Sequence, residues 1–164
     1  MDPVSVSTVI SKPRQEVFEY LADIANHAEF SDHYLTDWHL TRERSYGTGA
    51  GARFRIKVPF ARFNWADMTF SEVDPPTRIV EQGRGGKYNR IRLLGTYTLS
   101  DGPDGTTKVE YRLETRPKEP SDRLMETLGG RAWTRRQSAK AMRRLRAILE
   151  GNGEPGPRPS VSGR

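Results

Sequence analysis

A chain of 164 residues, 34% of them hydrophobic, is sized for a single domain with a core of its own. It contains no cysteine, which excludes disulfides, thiolate zinc sites and cysteine nucleophiles, and no apolar run approaches the roughly 18 residues that cross a membrane as a helix. Its formal net charge of +6 is concentrated in one arginine-rich stretch near the C-terminus, so charge alone does not assign it to nucleic acid or to an anionic membrane.

The opening MDPVSVSTVISKP has no basic region followed by a long apolar one, so it does not read as a signal peptide and a cytoplasmic location is expected. Val4 to Ser11 alternates as a first strand. Pro13 suits the first turn of a helix whose apolar face is Val17, Phe18, Leu21 and Ile24. Asn26-His27-Ala28-Glu29 has the spacing of a capping box and opens a second short helix carrying Phe30.

Strands follow. Trp38 and Leu40 alternate with Asp37, His39 and Thr41, and Gly47, Gly49 and Gly51 mark a turn. Phe54, Ile56 and Val58 alternate with Arg53, Arg55 and Lys57, which implies one buried face. Phe63 to Val73 reads as a strand in two registers, Phe63 with Trp65 and Met68 with Phe70, reconciled by a bulge between them. Asp74-Pro75-Pro76 turns the chain into Thr77 to Arg84. Ile91, Leu93, Tyr97 and Leu99 share a face of the next strand, and the turn at Asp101 to Gly105 leads to Val109, Tyr111 and Leu113. Seven candidate strands, joined from the second onward by hairpin-length connections, predict an antiparallel sheet.

The last long helix is predicted over Ser121 to Glu150, about 42 Å at the α-helical rise, with Ser121 as N-cap and Gly151 as stop. Leu124, Leu128, Ala132, Ala139, Met142, Leu145 and Leu149 form its apolar stripe, which needs a sheet to lie on. Gly129-Gly130 interrupts it with two poor helix formers, where a kink or a close approach would fit. After Gly151 the chain is rich in Pro, Gly and Ser, so residues 151–164 are expected to form a disordered tail behind a domain of residues 1–150.

The order strand, two short helices, six strands, long helix resembles the START-like helix-grip (SRPBCC) superfamily, and within it the polyketide cyclase/dehydrase and lipid-transport group. The resemblance is carried by KPRQEVFEYLADIANHAEF, GTGAGARFRI, EVDPPTRIVE and GTYTLSDGPDGTTKVEYRLE, and spans roughly residues 4 to 150. Phe30 stands where many relatives have tryptophan. The resemblance implies an α+β fold in which a curved seven-stranded antiparallel sheet grips the C-terminal helix around an elongated, mostly apolar cavity. It implies no cofactor and no catalytic residue common to the superfamily.

Candidate site residues are therefore weighed singly. Arg135 falls on the apolar stripe, where its guanidinium could hold a ligand oxygen, pair with a buried acid such as Asp67 or Glu81, or snorkel to solvent. Arg131, one turn earlier, is a weaker candidate of the same kind. Trp65, Tyr97 and Tyr111 are either core rings or cavity walls that orient a polycyclic ligand, with Phe54 and Leu128 as apolar lining. Asn89 is a candidate rim hydrogen-bonder. His33, beside Asp32, is the better acid–base candidate of two histidines, since His39 is out of phase with its apolar neighbours. No standard metal spacing is present, and Gly83 to Tyr88 is not a phosphate loop.

The expected function is binding of a hydrophobic small molecule, polyketide-, lipid- or quinone-like, as a polyketide cyclase or aromatase. The alternatives are a non-catalytic lipid or quinone carrier, or a module using the basic helix face of Arg136, Lys140, Arg143 and Arg144 on ribosome or membrane. Nucleic acid is disfavoured for want of an aromatic-rich binding motif, and the chain is expected to be a monomer or homodimer.

Overall fold

The computed structural model describes residues 2–59 and 61–161. The chain runs β1 (Val4–Ile10), α1 (Arg14–Leu21), α2 (Ile24–Ser31), β2 (Leu35–Leu40), β3 (Gly51–Ile56), β4 (Trp65–Asp74), β5 (Arg78–Gly85), β6 (Ile91–Asp101), β7 (Thr107–Pro117), α3 (Pro120–Met125) and α4 (Arg131–Leu149). The strands form one sheet in the order β1-β7-β6-β5-β4-β3-β2, with every neighbouring pair antiparallel. β2 to β7 are a continuous meander. The two short helices carry the chain from one edge of the sheet to the other, and the curled sheet grips α4 as expected.

Alternation decides what faces inward. Phe70, Glu81, Gly95, Leu113 and Val4 form one cross-strand row of the inner face, and Ile79, Tyr97, Tyr111 and Val6 form the next. Phe18, Leu21 and Ile24 of the small helices and Leu145 of α4 are fully buried with Phe70 and Ile79 of the sheet. A second, smaller cluster of Phe54, Ala66 and Met68 lies towards β3, with half-buried Leu35, Trp38, Ile56 and Leu93 around it.

Four local expectations are corrected. The last helix is not continuous: a widened turn at Glu126–Gly130 separates α3 from α4, and Gly129 there takes φ 114°, a region that favours glycine. The apolar phase of Leu124, Leu128 and Ala132 therefore does not carry through, and these residues are exposed. The buried face of α4 is Ser138, Ala141, Met142 and Leu145. The cap of α2 is Asp23, whose carboxylate accepts from the Ala25 N–H, and Asn26 lies inside the helix.

There is no bulge between Trp65 and Met68: Phe63 precedes the strand, Trp65 faces outward, and the irregularity comes at Phe70 to Glu72. The tail, expected to be disordered, docks as far as Val161. The Gly156 N–H donates to the Glu29 carbonyl, the Leu40 N–H to the Ser160 carbonyl, and Val161 lies parallel to Leu40 on the β2 edge. Arg158 donates to Asp23 at 2.6 Å and to the Asn26 side chain at 2.9 Å. Residues 162–164 lie outside the described residues.

Candidate functional site

Between α2, α4 and the inner face of the sheet lies a cavity of about 40 Å³. Its walls include the apolar Ile24, Phe30, Phe54, Met68 and Met142, and its polar residues include His27 and Tyr34, Glu81, Tyr97 and Tyr111 of the sheet, and Ser138. That volume admits water, whereas pockets for drug-sized ligands occupy roughly 300–1,000 Å³, so a larger ligand requires the walls to part.

Glu81 is the centre of the polar group. It is 4% exposed, unusual for a carboxylate, and lies directly across from Gly95. A Cβ at Gly95 would overlap the carboxyl, so the glycine makes the space that Glu81 fills. The Tyr111 hydroxyl donates to Oε1 at 2.8 Å. The Tyr111 and Tyr97 rings lie 4.5 Å apart on adjacent strands.

His27 approaches from α2. Its Nε2 lies 2.8 Å from the Leu21 carbonyl, which can only accept, so Nε2 carries the proton and Nδ1 presents a lone pair. That lone pair faces Glu81 Oε2 at 4.0 Å. The His27 ring is boxed by Phe30, Phe70 and Tyr97, each with its centroid 5.3 or 5.4 Å away. On the helix side, Ser138 Oγ is buried with no hydrogen-bond partner among the described residues, beside the Tyr34 phenol but outside hydrogen-bond geometry. A buried hydroxyl left in this way is a ready donor for a bound molecule.

Burial sets the charges. It pushes the Glu81 carboxyl up to about 7, against the pull of the Tyr111 hydrogen bond, and pushes His27 down to about 4. Tyr97 and Tyr111 are raised well above the usual phenol range by burial and then by the Glu81 charge. Near neutrality the cavity therefore holds neutral phenols, a neutral imidazole and a carboxyl poised between its two forms. A carboxyl in that state can give or take a proton in either direction.

Of the residues expected at the site, Tyr97, Tyr111 and Phe54 line the cavity. Arg135 does not: it is exposed, because at about 100° per residue it sits roughly 60° around the helix from Ser138, on the flank of the buried face. Arg131 is also exposed and donates to the Asp2 and Pro3 carbonyls. Leu128 is 71% exposed in the widened turn.

Trp65 lies on the outer face of the sheet, with the guanidinium groups of Arg53 and Arg55 over its ring at 5.1 and 4.8 Å and His39 stacked on it. Asn89 borders a groove on that same outer face. His33 lies outside the cavity lining. Its Nε2 lies 3.2 Å from the Gln137 carbonyl and its Nδ1 is 3.0 Å from Arg144, while burial lowers its pKa. Arg144 also pairs with Asp32, so it belongs to the α2–α4 contact and not to the exposed basic face of Arg136, Lys140 and Arg143.

His27, Tyr34 and Ser138 are the site residues that sequence reasoning passed over, and Glu81 entered it only as a possible buried partner for Arg135. Glu81 was legible in principle, since it shares a strand face with Ile79. His27 was hidden inside a false capping box, and Ser138 behind the wrong helix phase.

Comparison with known proteins agrees with this architecture. The family model described as polyketide cyclase/dehydrase and lipid transport matches residues 1–150. A search of curated protein sequences gave no match. Among solved structures, the chain is similar to the protein TTHA0849 from Thermus thermophilus, with 12% identity, 91% of this chain and 97% of that one covered and a TM-score of 0.70. It is also similar to the KanY protein, with 15% identity, coverage of 91% and 97% and a TM-score of 0.74. A third similar structure is truncated norcoclaurine synthase from Thalictrum flavum, with 13% identity, coverage of 85% and 91% and a TM-score of 0.61. At these identities the structures speak for the fold alone, and among the described residues no helix is long and apolar enough to cross a membrane. With the helix-grip sheet, the enclosed cavity and a family match over residues 1–150, the chain belongs to the polyketide cyclase/dehydrase and lipid-transport family.

Proposed function

We propose that this protein binds a hydrophobic, carbonyl-bearing small molecule between α4 and the sheet, and that Glu81 moves a proton on it. The observation that carries the reading is the buried Glu81 carboxyl, raised to about 7 and hydrogen-bonded to Tyr111 on the cavity wall. As carboxylate it removes the acidic proton between two carbonyls of a poly-β-ketone, and the electron pair passes into an enolate. A neighbouring phenol donates to the oxygen on which charge develops. The enolate carbon then attacks a second carbonyl of the same chain. Glu81, now protonated, gives that proton to the new alkoxide to form a hydroxyl. As carboxylate again it takes the second proton from the same carbon and passes it to the hydroxyl, which leaves as water as the double bond forms, so ring closure proceeds with loss of one water and no other reagent.

The apolar cluster of Phe54, Ala66 and Met68 gives the rest of such a ligand its place, beside the half-buried Leu35 and Trp38. Substrate enclosure in that reading follows separation of the β2 side of the cavity from α4, since the resting volume is too small. The apolar end also favours a second reading, a carrier of lipid or quinone with no chemistry at Glu81.

One experiment separates them. Glu81→Gln keeps the size and the hydrogen-bonding reach of the side chain but cannot cycle a proton. With a poly-β-ketone thioester analogue as probe, the enzyme reading expects cyclisation by the parent protein. The variant should bind the probe normally and cyclise it about 100-fold or more slowly. Binding of the probe by both proteins with no cyclisation by either favours the carrier.

A further inference from the structure

The outer face of the sheet carries a feature unrelated to the cavity. One cross-strand row runs Arg53, Asp67, Arg84, Arg92, Arg116 over β3 to β7. Its acid is engaged at the far end, since Asp67 pairs with Arg53 at 3.8 Å. At the other end Arg116 pairs with Glu114 of the neighbouring row at 2.8 Å. Arg84 and Arg92 stand directly opposite each other in the middle, exposed, with no ion-pair partner among the described residues. Like charges at facing positions of adjacent strands, about 4.8 Å apart, repel. The two arginines lie in an open groove of about 560 Å³ that also presents the Asn89, Gln82 and Thr69 side chains and the half-buried Leu94.

We infer that this groove is a binding site for an oxyanion of the phosphate class, held between Arg84 and Arg92 with Arg116 at its edge. Planar guanidinium forks suit such oxygens better than ammonium groups do, and every position here that could carry a cation carries arginine. An anion between them replaces a repulsion with two charge-assisted contacts. The amides of Asn89 and Gln82 supply neutral donors around it, and Asp67 and Glu114 are already neutralised by their own arginines. The source of the phosphate is either a free phosphorylated metabolite or a phospholipid headgroup, which share this chemistry.

The test titrates pyrophosphate into the full chain at low ionic strength, and in parallel sediments the chain with phosphatidylcholine vesicles containing phosphatidylglycerol. Three proteins are compared: the parent, Arg84→Gln/Arg92→Gln, and Arg136→Gln/Arg143→Gln, which removes the same charge from the exposed face of α4. Pyrophosphate binding weakened about tenfold or more by the first pair, and unchanged by the second, supports the site with a free ligand. Vesicle binding with that same dependence supports it with a headgroup. Binding to neither probe, binding that survives Arg84→Gln/Arg92→Gln, or equal loss in both variants overturns the proposal.

Discussion

The Glu81 carboxyl occupies the volume that a side chain at Gly95 would fill, one strand away on the same row of the inner face. The pairing of a buried acid with a facing glycine explains how a carboxyl fits flat against the sheet and reaches Tyr111. Gly95→Ala should therefore displace the carboxyl, break its 2.8 Å hydrogen bond with Tyr111, and destabilise the fold by about 1–3 kcal/mol. In a Glu81→Ala background the same change should cost clearly less. Urea unfolding of the four proteins of this cycle measures the difference, and additive costs would mean that the two positions do not share space.

Glu81 and His27 tilt the pH dependence of stability in opposite directions. A carboxyl raised to about 7 takes up a proton on folding, so its contribution falls as pH rises from about 4.5 to about 7. A histidine lowered to about 4 sheds its proton on folding, so its contribution falls as pH drops from about 6.5 to about 4. The two slopes oppose each other over the shared window. Glu81→Gln removes one of them. Relative to the parent, the variant should gain stability with rising pH, by roughly 3 kcal/mol between pH 4.5 and pH 8. Denaturant midpoints at several pH values read this directly, and a constant offset would show that Glu81 titrates alike in both states.

Arg135→Met should leave stability within about 0.5 kcal/mol and leave ligand binding unchanged, because the side chain is exposed and off the cavity. Thermal melting and dye displacement on this one variant suffice. A change in ligand affinity would return the arginine to the site.

Deleting Glu154 to Arg164 should lower the melting temperature by about 4 °C or more. The deletion removes the Arg158 contacts to Asp23 and Asn26 and uncovers the β2 edge at Leu40. An unchanged melting temperature would mean that these contacts add nothing to the fold.

The sheet was legible from sequence because alternation is strict where one face is buried. Phe54, Tyr97, Val109 and Tyr111 all face inward as their periodicity requires. Helix phase was less secure. The stripe through Leu124, Leu128 and Arg135 assumes one unbroken helix, and the turn at Gly129 ends that assumption. The polar heart of the cavity was least legible. Glu81 reads as one charge in a strand until the register places Gly95 beside it, and Ser138 reads as a neutral helix position until the true buried face is known. The tail misled by composition, since its docking relies on backbone hydrogen bonds and one arginine and not on apolar periodicity.

The proposed chemistry needs a carboxyl on the cavity wall whose proton exchanges near neutral pH. Carbon-13 labelling of glutamate side chains, with Glu81 assigned by comparison with Glu81→Gln, allows its carboxyl shift to be followed from pH 3 to pH 9. A midpoint near 7 is expected for Glu81, well above the ordinary carboxyl value. A midpoint near 4.5, with the carboxyl fully ionised at neutral pH, would contradict it.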